Sequence, residues 1–450
     1  MALRGSLIAL LVVSAAALTP SSGAQTPSTL ALVGASVIPM DRERVLAGQT
    51  ILVSGDRITA IGPVGEVKVP ADARRIDASG KYVIPALAEM HAHIPGGQAS
   101  DEDIERVLYL YAANGIGTIR GMLGHPRHLT LRERANRGEL VSPWIYTSGP
   151  SLNGNTVPTP EAARKAVADQ KAAGYDFLKI HPGILRGPFD ALADAANEAG
   201  IRMAGHVPAD VGLERALKVP YASIDHLDGY IEALAGPDAP ASQLFGVNLV
   251  DKVDTSRIPE LVKATKEAGV SVVPTEALLE HWVGPDDPAA MAGWPEMRYV
   301  SDANLASWQE LKRKFQSAAT EAQRARFLEI RRTLIKSLHG GGVRLLLGSD
   351  APQTWNVPGF SIHRELQYLV RAGLTPYQAL ETGTRNIAAF FGTESERGTI
   401  ERGKRADLVV LDANPLEDVA STGKVAAVVL GGRLLTRDEM DERLAEFRYR

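Results

Sequence analysis

Short apolar segments alternate with helical stretches through the middle of this chain, and that alternation constrains the fold more than any other feature. Eight such segments can be read: Val83-Ile84, Thr118–Arg120, Trp144–Thr147, Phe177–Ile180, Arg202–Gly205, Ser223–Asp225, Val270–Pro274 and Arg344–Leu347. Helical stretches such as Glu161–Ala173, Phe189–Ala199 and Ile258–Ala268 stand between them. Strand–helix alternation predicts an α/β fold with parallel strands, and eight units predict a closed (β/α)8 TIM barrel. The span from Pro274 to Arg344 is too long for one helix and carries Trp282, Trp294 and Trp308, so a helical insertion is expected at about 276–340. The two ends read differently. Leu30–Val69 and the stretches Ala406–Asp412 and Val425–Leu434 alternate apolar runs with Gly, Asp and Pro, which suits short strands and tight turns. The expected organisation is therefore a small composite β-sandwich domain from residues 25–84 and 398–450, around a barrel at 85–397.

The first 24 residues are of another kind. Arg4 precedes an apolar run from Leu7 to Ala17, and Ser22-Gly23-Ala24 ends in small residues before Gln25. This is the pattern of a cleaved signal peptide, 1–24, and it implies a secreted or periplasmic protein. The run is short for a bilayer core of about 30 Å, so no stable membrane association is expected. The chain has no cysteine, which excludes disulfides and thiolate ligands. A net charge of −4 with both signs interspersed gives no footprint for nucleic acid. Assembly into a homo-oligomer is left open.

In a barrel of this kind the chemistry sits at the C-terminal ends of the strands. His91 and His93 follow the first expected strand, Lys179 lies in the fourth, His206 and His226 end the fifth and sixth, and Asp350 follows the eighth. A His-x-His pair on extended chain sends both rings to one side. Imidazole and carboxylate suit Zn and its neighbours. Lys179 is the odd member, because an ammonium beside metal ions is repelled and burial favours the neutral amine. A neutral lysine can take up carbon dioxide to give an anionic carbamate. Taken singly, each residue has a plainer reading: a core histidine, a paired lysine, an aspartate capping a helix. Together they form an ordered set of metal-ligand candidates.

At these positions the chain resembles the amidohydrolase superfamily. The resemblance is carried by His91-Ala92-His93, by Lys179 in Phe-Leu-Lys-Ile, by His206 in Ala-Gly-His-Val, by His226 in Ile-Asp-His-Leu and by Asp350 in Gly-Ser-Asp-Ala-Pro. Thr375–Asn386 and Gly398–Asp412 also look like the family's return into its small β domain. A lysine on strand four points to the binuclear group that includes metal-dependent Xaa-Pro dipeptidases and an ochratoxin-cleaving amidase. The resemblance implies two divalent metal ions, zinc being expected. One would be held by His91, His93 and Asp350, the other by His206 and His226, with N6-carboxylysine at Lys179 bridging them. A metal-activated hydroxide would attack the carbonyl of a small amide or dipeptide, such as an N-acyl amino acid. Asp350 would be the catalytic proton carrier. The alternative is a mononuclear deaminase or a cyclic-amide hydrolase of imidazolonepropionase type.

Departures from the family pattern bear on the substrate. Pro85-Ala86, Glu89-Met90 and Arg120-Gly121 stand where relatives often carry Pro-Gly, Asp-Met and Arg-Asp. His125, His181 and Tyr230 are the candidates for substrate binding, with His128, Arg120 and Arg186 behind them. Gly398–Lys404 fits a phosphate-loop spacing, but Arg405 stands where Ser or Thr is required and no helix pattern follows, which excludes that reading. Export makes a direct prediction: protein secreted by its native host should begin near Gln25 on N-terminal sequencing. Soluble cytoplasmic protein with Met1 intact would refute it.

Overall fold

Strands from the two ends of the chain share one sheet. The computed structural model describes residues 29–449, so the expected signal segment lies outside the described residues. Thr29–Val37 (β1), Leu46–Ser54 (β2), Arg57–Pro63 (β3), Arg74–Asp77 (β4) and Tyr82–Pro85 (β5) come first. Later come Leu87–Ala92 (β6), Ile116–Gly121 (β7), Trp144–Thr147 (β8), Phe177–Ile180 (β9), Arg202–Gly205 (β10), Tyr221–Asp225 (β11) and Ser271–Val273 (β12). Leu408–Leu411 (β13), Val425–Leu430 (β14) and Arg433–Thr436 (β15) close the set. The end strands hydrogen-bond in the order β15-β14-β13-β5-β1-β2-β3, with β4 on β1. The junction is the antiparallel pair β5–β13, in which Val83 faces Val410 and Ile84 faces Val409. Leu32, Ile51, Val83, Leu408 and Val429 are buried together as a separate apolar core.

The pairing corrects one expectation. Val83-Ile84 belongs to this end sheet and not to the set of parallel strands. The first strand of the central set is Leu87–Ala92, which begins just beyond Pro85 and contains His91 itself. Apolar character could not separate two strands so close together.

The remaining strands are parallel, with β6-β7-β8 in one sheet and β9-β10-β11-β12 in another. Single bridges connect them: Ser148 with Phe177, Leu152 with Ile180, Val272 with Leu345 and Ala92 with Ala351. Segment 344–347 is extended but does not form a regular strand. Besides that bridge its hydrogen bonds include those from Val272 N to Arg344 O (3.0 Å), from Leu346 N to Val272 O (2.9 Å), from Met90 N to Leu347 O (2.9 Å) and from Leu347 N to Thr382 O (3.0 Å). Helices fill the intervals, and their ends follow local chemistry. Thr159 caps Pro160–Ala173 by accepting from Ala162 N, and Gly174 ends that helix at φ 87°.

Between β12 and 344–347 lie the helices Glu276–Val283, Pro288–Met291, Asp302–Ser317 and Glu321–Gly340. Their anchor is a buried ion pair. Arg331 Nε donates to Glu276 Oε2 (2.8 Å), while its Nη1 and Nη2 donate to the carbonyls of His226 (2.8 Å) and Pro274 (2.9 Å). Both partners are fully buried, so removing one strands the other. Among the described residues no helix is long and apolar enough to cross a membrane. Arg331→Met should lower unfolding free energy by about 3–5 kcal/mol in denaturant titration. The double variant with Glu276→Gln should lose clearly less than the two single losses added. Additive losses would show that the pair is not the anchor.

Candidate metal centre

Strand β6 runs with period two, so Glu89, His91 and the following His93 share a side. The His91 ring centroid lies 5.5 Å from that of His93 and 4.5 Å from that of His226. His226 in turn lies 4.6 Å from His206. Asp350 enters the same space: its Oδ1 is 2.7 Å from His93 Nε2 and 3.9 Å from His91 Nε2. One ligand atom each from His91, His226 and Asp350 lie within 4.8 Å of one another. Lys179, fully buried on β9, places Nζ 3.1 Å from His91 Nε2. All six residues singled out as ligand candidates therefore converge.

The backbone beneath them is constrained. Gly205 has φ 119°, and a Cβ there would stand 2.5 Å from Ile180 O and 3.0 Å from Lys179 Cδ. Only glycine leaves room for the lysine stem. At Gly348 a Cβ would meet Val273 Cγ1 at 2.6 Å and His91 N at 3.0 Å. His226 and Asp350 both adopt φ 64°, and Thr275 adopts φ 47°. Strained residues of this kind persist where surrounding contacts fix them.

Burial, with charge second, sets the protonation states. Burial, followed by the nearby Lys179 charge, lowers His206 to about 3. Burial also holds His91 and His226 well below the usual histidine range. Neutral imidazoles are the form that binds metal. Burial brings Lys179 down to about 8, against the opposing pull of Asp225 and Asp350. Three candidate ligand rings face outer partners, two of them through hydrogen bonds from His206 and His226. His91 Nδ1 lies 2.8 Å from Asp225 Oδ2, His206 Nδ1 lies 2.6 Å from Asp228 Oδ2, and His226 Nδ1 lies 2.8 Å from Thr275 Oγ1. With its Nδ1 so engaged, buried His226 Nε2 has no hydrogen-bond partner. An orphaned imidazole nitrogen amid neutral histidines and a carboxylate is the donor set a divalent metal requires.

Matching to known families decides the identity. The amidohydrolase family model matches residues 82–435. This chain belongs to the amidohydrolase family. It is an enzyme that acts on carbon–nitrogen bonds. This amidohydrolase is 23% identical to Aspergillus niger ochratoxinase over 458 residues, covering 88% of this chain and 85% of that protein. The solved structure of that ochratoxinase superposes with a TM-score of 0.63 at 19% identity, over 91% of this chain and 96% of the other. A solved Xaa-Pro dipeptidase with methionine in its active site gives 0.65 at 22% identity, over 91% and 100%. Adenine deaminase 1 of Jannaschia sp. (strain CCS1) is 22% identical over 427 residues, covering 92% of this chain but 60% of the deaminase. The amidohydrolase thus spans about three fifths of that relative's length. At these identities the solved structures establish a common fold.

The substrate-binding candidates fare unequally. His181 is brought to the edge of the cluster, stacked on His206 at 5.1 Å, with Nδ1 2.6 Å from Ser151 Oγ. His125 packs against His128 at 5.8 Å, and His128 Nε2 lies 3.1 Å from Pro95 O. The structure does not bring the Tyr230 hydroxyl to the cluster: it is fully buried against Thr265 Oγ1 at 2.7 Å, on a neighbouring helix. Arg186 sits outside, bonded to Asp190. Arg120 is buried beneath the centre, donating to Met90 O (2.8 Å), Ser223 Oγ (2.9 Å) and Asp225 (3.3 Å).

Four residues beneath the ligands escaped the sequence reading as site groups: Glu89, Asp225, Asp228 and Thr275. Glu89 was legible, because period two puts it on the face of His91 and His93. Its carboxyl group accepts from His91 N (2.9 Å) and Ser349 N (2.9 Å), and also meets the Ser349 hydroxyl. It therefore clips the strand carrying His91 to the loop carrying Asp350. Burial raises it to about 8, against the pull of those donors. Glu89→Gln turns an amide NH2 toward one of these donors. Metal affinity and turnover should both fall about 10- to 100-fold, measured by metal titration and initial rates. Unchanged metal affinity would remove the clip from the argument.

Proposed function

We propose that this amidohydrolase cleaves an amide or peptide bond of a small substrate, such as a dipeptide or an N-acyl amino acid, at a two-metal centre. The observation that carries the reading is Lys179, buried with Nζ 3.1 Å from His91 Nε2 among neutral histidines. An ammonium has no role as a ligand there, whereas its carbamate would be an anionic oxygen bridge. We assign one divalent ion to His91, His93 and Asp350 and a second to His206 and His226, with carboxylated Lys179 between and zinc as the expected metal. The pairings from β6 round to 344–347 and back to Met90 support a closed (β/α)8 barrel around this centre. The shared sheet of β1–β5 and β13–β15 supports a composite β domain from both chain ends.

Bound metals would polarise the scissile carbonyl and make water acidic near neutral pH. The protein's own groups do the rest. Asp350, held beside His93, accepts a proton from the attacking water and delivers it to the leaving nitrogen. Asp225 and Asp228 fix the ring orientations of His91 and His206. His181, on the open side of His206, offers its ring to the substrate's carbonyl or carboxylate. We place the enzyme outside the cytoplasm, on the signal pattern before Gln25. The adenine deaminases among the relatives keep a mononuclear deaminase as the competing reading.

Metal counting separates the two. Enzyme grown with ample zinc should hold about two ions per chain and hydrolyse members of a dipeptide and N-acyl amino acid panel. Lys179→Ala should lose metal and activity together. Short carboxylic acids should restore part of both by filling the bridging position. Lys179→Arg should not rescue, because a guanidinium cannot become an anionic ligand. One ion per chain with adenine deamination, or near-normal turnover in Lys179→Arg, would overturn the reading.

A further inference from the structure

We propose that Phe245 and Trp282 form an aromatic wall beside the metal centre that selects amide substrates carrying a flat apolar side chain. The proposal rests on the amide-hydrolase reading above and names the substrate class of that site. Its first support is backbone conformation. Leu244, Phe245 and Gly246 are left-handed in succession, at φ 45°, 58° and 93°. Such a run is costly for residues with a Cβ, and it persists only where neighbours over-determine it. Here Gly246 is pressed against Ile231: a Cβ would stand 2.5 Å from Ile231 Cγ2. Ile231 lies in the helix Tyr230–Ala235, directly after the His226 turn. The strained run thus tethers Phe245 to the segment that carries a metal-ligand candidate.

The second support is where the rings go. Phe245 stands 5.8 Å, centroid to centroid, from His226 and 6.1 Å from Trp282. Trp282 stacks on Phe315 of the helical insertion at 4.8 Å, and its Nε1 donates to Thr354 O at 3.3 Å. Thr354 lies four residues beyond Asp350. The wall therefore spans from the loop of one ligand to the loop of another, backed by the insertion. Phe245 and Trp282 remain only half buried, whereas Phe327 and Trp355 of the same region are fully buried. Half-buried aromatic faces beside a polar metal centre offer contact area to a bound apolar group.

The test is a pair of substrate ratios. The first pair is N-acetylphenylalanine against N-acetylalanine, and the second is N-(3-phenylpropionyl)alanine against N-propionylalanine. Burying a phenyl group against the wall should favour the aromatic member in at least one pair by roughly 10- to 100-fold in kcat/KM. Phe245→Ala should bring that ratio to within about threefold of unity, and Trp282→Leu should lower it. A ratio is independent of the fraction of enzyme that folds, so poor folding does not blur the result. No aromatic preference in the wild type, or a ratio unmoved by both substitutions, overturns the proposal. If no amide is hydrolysed, the amide-hydrolase reading fails separately. Calorimetric binding of 3-phenylpropionate against propionate to the zinc-loaded enzyme then decides the wall. Tighter binding of the phenyl acid that Phe245→Ala abolishes supports it, and equal binding overturns it.

Discussion

A fully buried carboxylate, Asp225, is the point on which the centre rests. It takes bonds from Arg120 and Ser223 and faces His91 Nδ1 at 2.8 Å. Burying an anion in the middle of a set of parallel strands is costly unless its lone pairs are met. Arg120, itself fully buried, meets them together with Ser223, and its Nε donates to Met90 O on the neighbouring strand. One ion pair thereby fixes the orientation of a ligand histidine and ties β6, β7 and β11 together. The same solution recurs outward: Arg331 with Glu276 beneath His226, and Glu89 between His91 and Ser349. Packing of apolar side chains shapes the core, but these polar contacts decide which way each ligand points.

Much of the candidate site was legible because metal ligation, where it is expected, admits few residue types. Without cysteine, ligands had to be His, Asp, Glu or a modified side chain. Lys179 lies within a short apolar segment, His91, His93, His206, His226 and Asp350 stand at or just beyond the ends of others, and all six converge. The supporting layer was less legible: strand alternation puts Glu89 on the face of His91 and His93, but its clip to Ser349, like the roles of Asp225 and Thr275, shows only through contacts distant in sequence. Glu89 meets Ser349 across 260 positions. Tyr230 misled for the opposite reason. Closeness to His226 in sequence suggested the cluster, but a helix begins at Tyr230 and carries its hydroxyl to Thr265.

Strand assignment failed where pattern carries least information. Tyr82–Pro85 and Leu87–Ala92 are both apolar and separated by one residue, Ala86. Which belongs to the end sheet is settled by partners more than 300 residues away, Leu408–Leu411. Segment 344–347 reads as a strong strand, yet its pairing is thin. The chain there must bend immediately into Gly348-Ser349-Asp350, with Asp350 at positive φ and Asn356 Nδ2 bonded to Ser349 O.

That bend shows how stability and function are coupled in this enzyme. His226, Leu227, Thr275, Asp350 and Trp355 all have positive φ without being glycine. Each such residue costs on the order of 1–3 kcal/mol, a burden no surface ion pair offsets. The offset comes from the buried network itself. Arg331 holds His226 O and Pro274 O, Glu365 accepts from the amides of Glu276 and Ala277, and Asn356 bonds both Ser349 O and His281. The helical insertion is therefore more than a cover over the strand ends. Through Arg331 and His281 it supplies some of the partners that keep the strained segments of the candidate ligands in place, and the same insertion sets Phe315 behind Trp282. Changes in the insertion should accordingly reach the candidate metal centre by two separate routes, through backbone geometry at His226 and through the aromatic face beside it.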